Sequence, residues 1–195
     1  MKLTAIVGSM FSGKSTLLNK QIRESRRHEV FHVMVFKPSI DDRYDVDSVT
    51  THDFVKESAN MLIHRAEDIW EYYLHVKDSI EEGKKVICFI DEVQFLEADS
   101  LVRVIRMLNR ENVQVCAAGL DMDKFGLPFG ATPKIMAIAD EVVKLKTKCD
   151  CGEDSYTQVS ITNNKDLIEI GSDSYKPVCK KCYFDYMDKE QGRGL

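Results

Sequence analysis

Gly8-Ser9-Met10-Phe11-Ser12-Gly13-Lys14-Ser15 fits the pattern G-x-x-x-x-G-K-[ST]. It stands between a short apolar run, Leu3-Thr4-Ala5-Ile6-Val7, and a helix-prone segment, Lys14 to Arg27. Strand, glycine-rich loop and helix in that order are the context in which this pattern holds phosphate. Polyphosphate oxygens need many donors in a small concave space; glycine lets the backbone turn tightly and aim its N–H groups inward. The start of the helix adds its positive dipole end. In this reading all eight residues, Gly8, Ser9, Met10, Phe11, Ser12, Gly13, Lys14 and Ser15, bind ATP. Lys14 reaches the β- and γ-phosphates as a point charge, and the Ser15 hydroxyl ligates Mg²⁺. A turn that merely joined a strand to a helix would not need Gly, Lys and Ser at these offsets. The loop leaves the destination of the phosphate open.

Outward from the loop, residues 30–36 read as a buried strand closed by Pro38, and residues 39–56 as a polar loop or exposed hairpin. Over 60–82, Leu62, Ala66, Ile69, Tyr73, Val76 and Ile80 recur at helical spacing, and Gly83 ends the pattern. Residues 86–90 form a continuous apolar strand, 98–110 an amphipathic helix, 113–118 a strand and 142–145 a last strand. Strands without polar alternation, separated by helices, predict a parallel sheet covered on both faces. The fold class is therefore α/β, of the P-loop NTPase kind. Composition changes near Thr147, where cysteine pairs begin; a β-prone stretch (156–161), a turn at Asn163-Asn164, a short run (167–170) and a polar tail follow. This divides the chain into an ATP-binding α/β domain, 1–147, and a small cysteine-pair domain, 148–195.

The second acidic element is Ile87-Cys88-Phe89-Ile90-Asp91-Glu92, an apolar strand ending in two carboxylates. Ligands of parallel sheets bind beyond the carboxyl ends of the strands. Asp91 is placed to hold the Mg²⁺ shell, directly or through water, and Glu92 to take a proton from the attacking nucleophile. The nucleophile is a hydroxyl in a kinase and water in an ATPase, and these two motifs do not divide the cases.

The chain has 195 residues with 30% charged and a net charge of -5, which argues against a wide basic face and against polymeric nucleic acid as partner. No apolar run approaches the roughly 20 residues that span a bilayer, and Met1-Lys2-Leu3-Thr4 leads directly into a strand without a signal-peptide layout. The expectation is a cytoplasmic protein with no membrane partner. Cys88 and Cys116 lie within apolar strands, whereas Cys149, Cys151, Cys179 and Cys182 form two close pairs. In a cytosolic chain such pairs suggest metal before disulfide. Four thiolates satisfy tetrahedral Zn²⁺ in a structural site with no open position; unmetallated thiols or a degenerate site are the alternatives. The histidines 28, 32, 52, 64 and 75 do not cluster at ligand spacing, and Trp70, Tyr72 and Tyr73 read as packing residues.

The wording of the motifs goes beyond the generic pattern. Gly8 to Thr16, Asp42-Arg43-Tyr44, Thr51-His52-Asp53, Ile90-Asp91-Glu92-Val93-Gln94-Phe95, Gly119-Leu120-Asp121-Met122-Asp123, Pro128-Phe129-Gly130 and Tyr175 before Cys179 occur in this order. Together they resemble the type II thymidine kinases, the cytosolic enzymes of bacteria, large DNA viruses and animals. The resemblance runs over nearly the whole chain and implies transfer of the ATP γ-phosphate to the 5′-hydroxyl of thymidine. It implies Glu92 as the proton acceptor, with Lys14 and Arg43 at the transferring phosphate. Gln94 falls beside the nucleotide, and Asp53 in the segment over the active site. A cysteine-anchored lasso, here Leu167, Ile168, Ile170 and Gly171 with Tyr175 beside them, holds the thymine through backbone groups. Phe95, Leu120 and Phe129 match apolar neighbours of the base pocket. The same resemblance implies a homotetramer restrained by thymidine triphosphate.

Four departures accompany it. Lys124-Phe125 stands where many relatives place an aromatic and then an arginine, so the aromatic wall of the base pocket is either shifted or supplied by Phe125. Val55 replaces an arginine of some relatives, 171–175 is one residue short, and Cys149-x-Cys151 stands for the usual C-x-x-C. These bear on base selectivity and metal binding rather than reaction type. A kinase of broader deoxynucleosides and a P-loop ATPase without a nucleoside acceptor are the competing readings.

Overall fold

The computed structural model describes residues 1–39, 61–162 and 174–190. The phosphate-loop unit begins with β1 (Leu3–Val7), α1 (Lys14–Arg27), β2 (Phe31–Pro38) and β3 (Met61–Ile63). It continues through α2 (Glu67–Val76), β4 (Lys85–Ile90), α3 (Ala98–Arg110), β5 (Gln114–Gly119), α4 (Thr132–Ile138) and β6 (Glu141–Lys144). Its strands form one six-stranded sheet in the order β3-β2-β4-β5-β1-β6, and every pairing is parallel. Parallel neighbours need crossover connections, and the intervening helices supply them. Those helices cover both faces, which is why the strands carry no polar alternation.

The four inner strands feed two cores. Met34, Phe36, Cys88, Ile90, Val115 and Ala117 point into the cluster containing Ile69, Leu101 and Ile105 from α2 and α3. The alternate positions Val35, Phe89, Cys116 and Ala118 face Leu18 and Ile22 of α1. The order β4-β5-β1 brings the end of β4 within one strand of the phosphate loop. Both sequence motifs therefore sit on the same edge of the sheet.

The helical stripe over 60–82 is corrected. The structure divides it into β3, α2 and a single 3₁₀ turn, Lys77–Ser79. The Asp68 carboxylate accepts the backbone N–H groups of His64 and Arg65 at 2.9 and 3.1 Å, which fixes the helix start downstream of Leu62. Ala66, Ile69 and Tyr73 are buried as the spacing predicts, but Leu62 is 49% exposed on an edge strand. At the other end the Ser79 hydroxyl donates to the Val76 carbonyl at 2.7 Å. By contrast, α3 keeps its predicted limits, and the Glu97 carboxylate caps it by accepting from Asp99 and Ser100 N–H.

Beyond β6 come β7 (Thr147–Lys148), β8 (Asp154–Ser155), β9 (Thr157–Ser160), β10 (Tyr175–Val178) and α5 (Lys180–Glu190). β7 pairs with β8 and β9 with β10, both antiparallel. The segment expected as a polar tail is largely the helix α5; Cys182, Tyr183 and Tyr186 pack it against a small core of Cys149, Val159, Val178 and Cys179. The expected loop over 40–56, the Asn163-Asn164 turn and the run at 167–170 lie outside the described residues.

Candidate active site

The phosphate loop leaves β1 at Gly8, whose φ of 148° is open to glycine and strained for other residues; a Cβ there would lie 2.6 Å from the Leu145 carbonyl oxygen. Lys14 folds back over the loop, and its ammonium donates to the Ser9 carbonyl at 2.7 Å. The first turn of α1 contains no acid, so its unpaired N–H groups face the loop without a competing anion. The Ser9 and Ser12 hydroxyls are buried with no hydrogen-bond partner among the described residues. Buried polar atoms left unpaired are costly, and phosphate oxygens are partners that suit them. Burial pushes the Lys14 ammonium down to about 8, against the pull of Asp91, Asp121 and Glu92.

The acid pair follows the last residue of β4. Asp91 extends the sheet by donating its N–H to the Phe36 carbonyl at 2.9 Å, and its carboxylate accepts from the Ser15 hydroxyl. The two residues assigned to Mg²⁺ by the motifs are thus in contact, an oxygen pair of the kind this hard cation takes. Burial raises the Asp91 carboxyl, while Lys37, the Glu92 N–H, Lys14 and Ser15 draw it back. Glu92 has a φ of 52°, in the left-handed region, and donates its N–H to Asp91 Oδ1 at 2.9 Å. A non-glycine residue held there costs roughly 1–3 kcal/mol and aims the side chain off the strand line. Glu92 Oε1 stands 3.3 Å from Lys37 Nζ, with both side chains about three-quarters or less covered. Burial raises the Glu92 carboxyl, opposed first by Lys37; a raised carboxyl is a better proton acceptor near neutral pH.

The third wall is built where β5 ends. Gln94 is buried, and its side-chain oxygen accepts the Leu120 N–H at 3.0 Å, pinning the loop after β5 to the 3₁₀ turn Val93–Phe95. Gly130, with a φ of 56°, packs so closely on this turn that a Cβ would lie 1.9 Å from the Gln94 carbonyl oxygen. Phe95 and Phe129 meet edge to face at 5.9 Å, with half-buried Leu120 following β5. Asp123 shapes the loop by accepting Phe125 and Leu127 N–H at 2.8 and 2.9 Å. Phe125 is 44% exposed; the Lys124 ammonium lies 5.5 Å over its ring, and the Tyr183 hydroxyl of α5 donates to its carbonyl.

The four cysteine sulfurs of Cys149, Cys151, Cys179 and Cys182 lie within 4.8 Å of one another, and the Cys151 and Cys179 sulfurs are 3.6 Å apart. Zinc bonded to thiolates at about 2.3 Å in a tetrahedron spaces its sulfurs by roughly 3.8 Å, so the cluster fits that ion. The shortened C-x-C pair has N–H···S support: N–H groups of Cys151 and Cys179 draw the Cys149 thiol down to about 7. In the second pair Cys182 N–H donates to Cys179 Sγ at 3.5 Å.

Lys14, Ser15, Asp91, Glu92, Gln94, Phe95, Leu120 and Phe129 thus gather at one edge of the sheet, and half-buried Tyr175 opens β10 in the cysteine-anchored unit. Arg43, Asp53, Leu167, Ile168, Ile170 and Gly171 lie outside the described residues. Sequence reasoning missed Lys37, Asp121 and Gln158. Lys37 offered a signal, a lone charge near the end of a buried strand; Asp121, ion-paired to Lys144 at 2.7 Å, lay inside a quoted motif without a role. Gln158 carried no signal at all.

The thymidine kinase family model matches residues 1–183. The chain belongs to the thymidine kinase family. Among solved structures, this thymidine kinase family chain is similar to an ATPase domain, with a TM-score of 0.51 and 15% identity over 86% of this chain and 78% of that one. That likeness concerns the fold alone. A DnaB-like replicative helicase aligns over 72% of this chain at 15% identity with a TM-score of 0.46, and this chain spans 46% of its length. Among the described residues no helix is long and apolar enough to cross a membrane.

Proposed function

We propose that this member of the thymidine kinase family transfers the γ-phosphoryl group of ATP to the 5′-hydroxyl of thymidine. The observation that carries the reading is the placement of Glu92 beside Lys37 and next to the Ser15–Asp91 contact, on the sheet edge that also carries Lys14. Phosphoryl transfer asks the protein for positioning and charge neutralisation rather than covalent chemistry. Lys14 and the loop N–H groups hold the β- and γ-phosphates. Ser15 and Asp91 would hold Mg²⁺, which would neutralise charge on the phosphates when bound. Glu92 removes the proton as the 5′-oxygen bonds to the γ-phosphorus; the bond from that phosphorus to the bridging oxygen breaks, and ADP leaves with the electron pair.

Phe95, Leu120 and Phe129 form the apolar side of the base pocket, and Phe125 lies at its outer rim. Arg43 and Asp53, with the backbone of 167–171, complete the site by family resemblance. In the same reading the cysteine cluster is a closed zinc site that anchors a unit spanning 148–195, apart from the nucleotide-binding unit of 1–147. The resemblance also supports a cytoplasmic homotetramer restrained by thymidine triphosphate.

The test is phosphotransfer from γ-labelled ATP with a panel of nucleosides. Label in thymidine monophosphate, weaker label from deoxycytidine, and a loss of roughly 10²–10⁴-fold in Glu92→Gln support the proposal. Free phosphate released at the same rate with and without nucleoside would overturn it in favour of an ATPase.

A further inference from the structure

Gln158 lies in β9, within the cysteine-anchored unit, and is only 2% exposed. A buried carboxamide needs partners at both ends, since each unpaired polar group costs about 1–3 kcal/mol. Here the partners are main-chain groups of two different loops. Its Oε1 accepts the N–H of Met10 in the phosphate loop at 2.5 Å. Its Nε2 donates to the carbonyl of Met122, in the loop that follows β5, at 3.2 Å.

The strand beneath it is firmly seated. Gln158 is in register with Pro177 of β10, and the flanking Ser155 and Thr157 hydroxyls both donate to the Val178 carbonyl at 2.8 and 2.6 Å. The next residue, Val159, packs in one core with Cys149, Val178 and Cys179. Cysteine cluster, β9, Gln158 and the two loops therefore form one contiguous chain of contacts. Met10 N–H points to Gln158, so this limb of the phosphate loop is held in shape by a side chain 148 residues away rather than by its ligand.

We infer that Gln158 is a positioning residue: it ties the cysteine-anchored unit to the phosphate loop and to the loop after β5, and so sets nucleotide affinity from outside the nucleotide site. The arm to Met122 rests on the thymidine kinase reading, because that loop then borders the nucleoside; the arm to Met10 does not.

The test uses the full, zinc-loaded chain and Gln158→Met, which keeps the side-chain length and removes both polar ends. Mg·ADP is the probe, titrated calorimetrically. Loss of one net hydrogen bond from the loop weakens Mg·ADP by about two- to tenfold. The KM for ATP rises by a similar factor while kcat stays within about twofold, a split that general loss of folded protein would not give. Affinity within experimental error of the parent, in a folded and zinc-loaded variant, overturns the inference. Should the variant not fold, amide exchange of the parent protein decides: Met10 N–H is protected without nucleotide, and free exchange there overturns the contact. If the parent labels no nucleoside, the kinase reading fails while the Mg·ADP and exchange results still judge Gln158.

Discussion

Replacing Lys37 by methionine removes the cation opposite Glu92 and keeps the chain length that fills the end of β2. The separation of 3.3 Å between Nζ and Oε1 sets the scale. Two unit charges that far apart interact by about 1.3 kcal/mol in bulk water and about 5 kcal/mol at an effective dielectric constant near 20. With the side chains 25% and 31% exposed, water reaches the pair and screens it toward the lower figure. About 1.4 kcal/mol corresponds to one pKa unit. The Glu92 carboxyl, already raised by burial and held back chiefly by Lys37, therefore rises further in Lys37→Met. Only the ionised carboxylate accepts the proton, so activity is lost in the window between the old and new pKa and returns above it.

The assay is the dependence of kcat on pH with thymidine and saturating ATP, from about pH 5 to pH 9. The acid limb moves up in Lys37→Met and returns toward its parent position in Lys37→Arg. A uniform fall in kcat with an unmoved acid limb would instead make Lys37 a phosphate contact or a structural residue and rule out its hold on Glu92.

Two further outcomes follow from the same geometry. The Lys14 ammonium sits at about 8 in the free protein, so Mg·ADP affinity holds below that value and falls as pH rises through it; titrations at about pH 7 and pH 9 check the direction, and a flat profile contradicts it. The cysteine tetrad takes up about one zinc per chain, and removing it with a strong chelator lowers the melting temperature and weakens nucleotide binding together. Elemental analysis beside a thermal melt reads this, and a metal-free protein with unchanged stability would refute it.

The sheet was legible because parallel strands covered on both faces must be largely apolar, as 86–90 and 115–118 are. The phosphate loop was legible because its chemistry fixes residue types at short spacing. The helix over 60–82 misled because Leu62 and Ile80 continue the spacing by chance. Asp68 and Ser79, whose side chains fix the true ends, are invisible to a periodicity count. The helix α5 was missed because only one side of it is needed, against a core of a few residues dominated by cysteine. Lys37 and Gln158 act through partners 55 and 148 residues distant, and such pairs exist only once the chain is folded.

In the proposed transfer one carboxylate stands beside the attacking sugar oxygen. A structure of the protein with thymidine and a non-hydrolysable ATP analogue measures it directly. A Glu92 oxygen is expected within about 3 Å of the 5′-oxygen, with the γ-phosphorus in line beyond it. A Glu92 carboxylate separated from that oxygen by another side chain, or turned toward solvent, would contradict it.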